Sequence, residues 1–453
     1  MELKRKIEST LRDWLDTKYA LLIFGARQVG KTHILDRFVR SSFTSYAELS
    51  LHNNVPLIKA ILSSADQNDF VLRLSAFCST PIERGGCIFI DEVQEFYTYL
   101  AKHPEIDEYY DLLTAMKGIT ENTGLRFVLS GSLLRLHLES AVNLNPEGSL
   151  LQLEMYPMDF EEFLWARGIA PELISLAKEC VEKENEVPDY LHERLMNEFR
   201  LYLLVGGMPA AVSEFIDKNS FAFVALAHKT IDDFIRRDIT KYAPDDGRIK
   251  IESIYELLPR ELSSPAKRFV LSSIDGHKKN EQEYLNFGWL SDAGVAIMCN
   301  AVTEPVAPLK ASSSLNKVKI FHEDVGLLTY LLMDPELKQR IILKESDGNF
   351  GALYENAVAE LLHAHGFKDL YFYFNKSRGE VDFLVERHGR VELIEIKSGK
   401  DYTRHSALNN LLAVPNYSFA SATVYHNGNV SEKDGIRYLP IYAIEFLYKT
   451  DKL

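Results

Sequence analysis

The run Gly25-Ala26-Arg27-Gln28-Val29-Gly30-Lys31-Thr32 has the spacing GxxxxGK[ST] of a phosphate-binding loop. Chemistry explains each residue type. Glycines permit backbone conformations and close approaches that a Cβ would block, so successive N–H groups and the N-terminus of the following helix can converge on phosphate oxygens. Lys31 adds a point charge for the β and γ phosphates, Thr32 offers a hydroxyl to magnesium, and His33 opens the helix that follows. Residues 25–33 are therefore the candidate nucleotide contacts. A second element supports them. Cys87-Ile-Phe-Ile90 ends in Asp91-Glu92, two carboxylates at the C-terminal edge of a buried strand, where ligands of open α/β sheets bind. Asp91 is expected to hold the magnesium ion through water and Glu92 to orient or deprotonate the attacking water. A third apolar run, Phe127-Val-Leu-Ser130-Gly131-Ser132, ends in hydroxyls, and Ser130 is the candidate contact to the γ phosphate or the water.

A second constellation lies near the C-terminus, in Glu380-Val-Asp382 on one expected strand and Glu395-Ile-Lys397 on the next. Residues i and i+2 of a strand share a face, so Glu395 and Lys397 point together. Asp382 and Glu395 could hold a divalent cation, magnesium or manganese, with Glu355 from a preceding helix as a third carboxylate and Lys397 activating water. Alternating charges on an exposed strand face are also ordinary. His363 and His365, two apart at a helix end, face different directions and read as surface residues and not as ligands.

The elements that must position these residues follow from hydrophobic periodicity. Short uninterrupted apolar runs at Ala20–Phe24, Cys87–Ile90, Leu125–Leu129 and Leu150–Met155 alternate with helical patterns, as in a parallel sheet covered by helices. Residues 1–170 are thus expected to form an α/β P-loop NTPase core. Residues 171–245 turn helical, with a stop at Gly206-Gly207-Met-Pro209, and read as a helical lid. Three helical stretches and the strand Val295–Met298 suggest a winged helix within 246–343, its recognition helix near Glu281–Leu290 with Lys267, Arg268, Lys278 and Lys279 beside phosphates. The Pro- and Ser-rich run Glu304–Asn316 reads as a linker. Residues 344–453 return to mixed α/β, with a helix at Tyr354–His363, strands near Leu370–Phe374, Val381–Glu386 and Val391–Ile396, and a helix at Ala407–Leu412.

Composition bounds the function classes. A chain of 453 residues calls for roughly two to four domains, at about 100–200 residues each. Its 46% apolar and 26% charged residues are ordinary for a soluble globular protein. No apolar run reaches the ~18 residues of a membrane span and the start is charged, so a cytoplasmic protein is expected. Cys78, Cys87, Cys180 and Cys299 lie far apart, as scattered core thiols do. A net charge of -14 opposes sequence-independent attraction to polyanions, so nucleic-acid binding would have to be local.

Taken in order, GARQVGKT, IFIDE, FVLSGS, Tyr156-Pro-Met-Asp-Phe160-Glu-Glu-Phe163, YLLVGGMP, WLSDAG and EDVGLL resemble AAA-superfamily ATP-binding proteins of bacteria and archaea. That family is similar in carrying a C-terminal restriction-endonuclease-like domain, and the Asp382, Glu395-x-Lys397 pattern resembles the PD-(D/E)xK nuclease fold. The resemblance implies ATP and Mg2+ as cofactors, with nucleic acid, a protein partner or a second copy as further partners. One departure stands out. The Gly-Arg pair usual in the family before the Pro-x-x-Phe segment is Gly148-Ser149 here, which leaves an arginine finger unassigned. Two readings follow: an ATPase switch coupled to a nucleic-acid-directed nuclease-like domain, or a non-catalytic ATP-binding regulator whose winged helix and inactive nuclease fold dock DNA or protein.

Overall fold

The computed structural model describes residues 2–134, 136, 150–264, 280–343, 345 and 350–450. The chain divides into two compact units. A smaller unit comprises Arg5–Tyr156 with Asp292–Gly294, and a larger one comprises Met1–Lys4, Pro157–Ser291 and Val295–Leu453.

The smaller unit is built on five parallel strands, β1 (Ala20–Phe24), β2 (Tyr46–Ser50), β3 (Cys87–Asp91), β4 (Arg126–Gly131) and β5 (Leu150–Glu154), in the order β2-β3-β4-β1-β5. Four of these are the expected apolar runs. Strand β1 lies between β4 and β5, with Leu22 opposite both Leu129 and Gln152, so its apolar run is buried on both faces. The strand that periodicity missed, β2, is the sheet edge, where Tyr46-Ala-Glu-Leu-Ser alternates between exposed and buried. The core on one face joins Leu22, Ile88, Ile90, Phe127 and Leu129 of the strands to Phe70, Leu74, Phe96 and Leu113 of the helices.

In the larger unit eight strands follow the order β12-β13-β11-β10-β9-β8-β6-β7. They are β6 (Ala296–Val302), β7 (Ser313–His322), β8 (Leu370–Asn375), β9 (Gly379–Arg387), β10 (Arg390–Ile396), β11 (Ser421–His426), β12 (Ser431–Lys433) and β13 (Ile436–Pro440). The middle and C-terminal segments, expected to be separate, share this sheet. Strand β6 pairs with β8 in parallel, Cys299 opposite Leu370, and β7 pairs antiparallel with β6. The expected linker ends inside β7, because Ser313 and Ser314 find backbone partners in Val302 and Ala301 whatever their weak strand propensity. A boundary at residue 344 therefore cuts one sheet. The strand assigned to a winged helix serves this sheet instead. The expected recognition helix is the helix Asn280–Asp292, whose Glu283 is buried and lies 3.4 Å from Lys250; Lys267, Arg268, Lys278 and Lys279 lie outside the described residues.

The helices read as a lid also belong to this unit. Helix Asp189–Val205 packs on Val325–Leu332, and the two quoted motifs YLLVGGMP and EDVGLL meet there. Asp324 Oδ2 accepts from Gly207 N at 2.6 Å and Oδ1 from Leu327 N at 2.8 Å. Gly206 adopts φ 77°, and a Cβ on it would fall 2.4 Å from Asp324 Oδ1. These motifs are therefore packing devices, and only a backbone without side chains fits at the knot.

Nearby, Lys338 is buried and donates to Leu204 O at 2.8 Å and Thr329 Oγ1 at 3.0 Å. Burial, opposed by Asp324, brings its pKa down to about 7. The unfolded chain keeps this lysine protonated to its ordinary pKa of ~10.4, so between the two values it binds more protons than the folded state. Stability owed to Lys338 therefore rises with pH above 7, by about 1.4 kcal/mol per pH unit at most. The thermal midpoint of the wild type relative to Lys338→Met is expected to climb steadily from pH 7 to pH 9; a constant difference would mean that the buried side chain keeps its proton and that burial does not lower its pKa.

Candidate functional site

The phosphate loop of the smaller unit leaves β1 at Gly25, which has φ 140° and whose added Cβ would lie 2.1 Å from Met155 O. Gly30, at φ 96°, caps the helix Lys31–Ser42. Arg5 braces the loop, its Nη1 donating to Val29 O at 2.8 Å and Nη2 to Tyr156 O at 2.7 Å. Loop and carboxylates line one open cleft of about 280 Å³, formed by Arg27, Gln28, Gly30, Lys31, Thr32, His33, Asp91, Glu92, Gly131 and Ser132. Lys31 Nζ is held by the loop itself, 2.6 Å from Ala26 O and 3.0 Å from Gly25 O. Thr32 Oγ1 donates to Asp91 Oδ2 at 3.1 Å. This hydroxyl-carboxylate pair, fixed at a helix N-terminus, suits a hydrated magnesium ion.

Ser130, expected at the phosphate, does something else. It is fully buried and its hydroxyl donates to Asp91 Oδ1, so it positions the carboxylate and the cleft hydroxyl is that of Ser132. Sequence reasoning missed Gln94. This buried side chain hydrogen-bonds the Glu92 carboxylate through Nε2 and accepts from Ser132 N through Oε1 at 3.1 Å, tying the expected base to the end of β4. Glu92 takes φ 60° to reach it. Also unforeseen is Gly294 of WLSDAG, whose added Cβ would lie 3.0 Å from Ala26 Cα of the loop. Gly148 and Ser149, where the arginine was sought, lie outside the described residues.

The C-terminal residues do converge. Strands β9 and β10 are antiparallel, with Phe383 opposite Ile394, which sets Asp382 beside Glu395. Asp382 Oδ2 accepts from Ile396 N at 2.8 Å, Lys397 Nζ donates to Glu395 Oε1 at 2.7 Å, and the helix Gly351–Ala364 brings buried Glu355 to the same place. Burial first, then Glu395 and Glu355, raise the pKa of Asp382, and burial likewise raises that of Glu395 against the pull of Lys397.

Among these carboxylates the structure places a residue that sequence reasoning passed over. Lys319 of β7 is 0% exposed, and its Nζ lies 2.7 Å from Glu380, 3.6 Å from Glu355 and 3.9 Å from Asp382. Burial works against its charge, yet Glu355, Asp382 and Glu380 raise its pKa and hold it as an ammonium. Lys319 thus supplies one positive charge where a divalent ion would bring two, and its Nζ stands among the carboxylates that a metal would use. The signal was present, a lysine inside the apolar run Val318 to Phe321, but only the β6–β7 pairing reveals its target.

Residues 17–164 match the family model of an AAA domain. Residues 196–338 match a domain of unknown function (DUF8612) and residues 350–444 another (DUF4143). No curated protein matches the chain. Among solved structures it is similar to the Walker-type ATPase PABY2304 of Pyrococcus abyssi, with 15% identity, 73% of this chain and 96% of that chain covered, and a TM-score of 0.40. It is also similar to the ORC1 protein of Aeropyrum pernix in complex with DNA, at 12%, 75%, 95% and 0.30, and to RuvB of Thermotoga maritima, at 16%, 65%, 89% and 0.31. With the parallel sheet and the loop, the AAA match defines the smaller unit as an AAA-type P-loop domain, an ATP-binding fold. No single helix among the described residues is long and apolar enough to cross a membrane.

Proposed function

We propose that the protein is an ATP- and magnesium-dependent switch of the AAA class, and that its C-terminal segment is a nuclease-like fold that docks nucleic acid or protein without cutting. The cleft that unites Lys31, Thr32, Asp91 and Glu92 supports the first half. Magnesium, when bound, would neutralise developing phosphate charge, with Thr32 and Asp91 as its protein ligands. Lys31 would leave the carbonyls of Gly25 and Ala26 for the β and γ phosphates, and the Glu92 carboxylate, aimed by Gln94, would accept the proton of the attacking water.

The docking half rests on Lys319. With an ammonium buried among Glu355, Glu380 and Asp382, a metal ion would have to displace Lys319 Nζ before a metal-activated water could serve Lys397, which supports docking over cutting. The test is a cleavage assay of the full chain on duplex, single-stranded and branched DNA, with magnesium or manganese, with and without ATP. The expected result is no cleavage above background in any condition, with phosphate release from ATP retained. Cleavage that Asp382→Ala abolishes would instead establish the metal-dependent nuclease.

A further inference from the structure

Three buried side chains from distant parts of the larger unit, Asp159, His365 and Glu445, bring one ligand atom each to within 4.8 Å of one another. Asp159 caps the helix Phe160–Ala166, its Oδ1 accepting from Glu162 N at 2.9 Å, while Oδ2 lies toward His365. His365 caps the C-terminal end of Gly351–Ala364, and Glu445 sits in the turn of 3-10 helix Ile441–Phe446. The imidazole is fixed on both sides. Its Nδ1 lies 3.1 Å from Leu447 O, a pure acceptor, so Nδ1 carries a proton, and its ring stacks on Tyr448 with centroids 4.0 Å apart.

That leaves Nε2, which has no hydrogen-bond partner although the side chain is 1% exposed. It faces Glu445 Oε1 at 3.5 Å and Asp159 Oδ2 at 3.8 Å. Both separations exceed the ~2.7–3.2 Å of an N–H···O bond. They are close to the edges of a tetrahedron whose metal–ligand bonds are ~2.0–2.2 Å long, roughly 3.3–3.6 Å. An imidazole that gives Nδ1–H to a backbone carbonyl and presents Nε2 to two carboxylates has the orientation of a metal-ligating histidine. Sequence reasoning had placed His365 on the surface; the structure buries it together with His363.

We propose that Asp159, His365 and Glu445 hold one divalent transition cation, of zinc type by its imidazole and carboxylate donors, which staples three remote segments of the larger unit. The site shares no residue with the nucleotide cleft or the Lys319 cluster. Its rival is an imidazolium bridging two carboxylates without any ion: burial disfavours that charge, but Glu445 and Asp159 outweigh it and raise the pKa of His365.

The two separate on zinc uptake by the full chain, stripped with chelator and equilibrated by dialysis against zinc without nucleotide. Wild type is compared with His365→Gln and with Asp159→Asn, whose amide oxygen can still cap Glu162 N. Each variant is expected to hold about one equivalent less than wild type and to lose the zinc-induced rise of the thermal midpoint. Equal zinc content and equal midpoint shifts in wild type and Asp159→Asn would overturn the proposal, whether or not His365→Gln folds. So would a wild type that takes up no zinc.

Discussion

Lys31→Ala is expected to weaken ATP binding by roughly 10²- to 10³-fold, the range in which one partner of a desolvated charge pair is removed and the other left behind. In the structure the ammonium rests on Gly25 O and Ala26 O, at the mouth of the loop whose N–H groups would face the phosphates. Truncation removes the charge at the first residue of the helix, where the ammonium is held by loop carbonyls and not by a strand. Titration with a fluorescent ATP analogue measures the effect. Binding within a factor of a few of wild type would mean that the cleft is not a triphosphate site.

Glu92→Gln separates binding from turnover. The substitution keeps size and lets the new amide oxygen accept from Gln94 Nε2, so the cleft should keep its shape. What disappears is the acceptor for the water proton, and single-turnover phosphate release should fall ~10²- to 10⁴-fold with ATP affinity nearly unchanged. Equal rates in variant and wild type would show that Glu92 takes no proton. If the wild type itself releases no phosphate under magnesium, the domain is a binding switch without hydrolysis.

The local chemistry of the nucleotide site was legible in the sequence because it is contiguous. A loop of eight residues and a strand ending in two carboxylates carry their own geometry, since glycine φ angles, the helix start at Lys31 and the burial of Cys87–Ile90 are all set within a few residues. The apolar strands of the parallel sheet were legible for the same reason: a run buried on both faces has no alternation to confuse it. The edge strand β2 alternates and passed unread.

Only tertiary structure decided which distant residues meet. Ser130 and Ser132 are equivalent as sequence, and the register of β4 beside β3 turns one to Asp91 and leaves the other in the cleft. Gln94 acquires its role from a helix start that follows the left-handed turn at Glu92. Lys319 reaches Glu355, Glu380 and Asp382 because β6 inserts beside β8 and carries β7 with it, a pairing across more than fifty residues that no local pattern encodes. His365 was misread because residues two apart do diverge on a helix, but both sides of this helix end are covered by other segments of the unit, and burial on both sides cannot be inferred from one element's period.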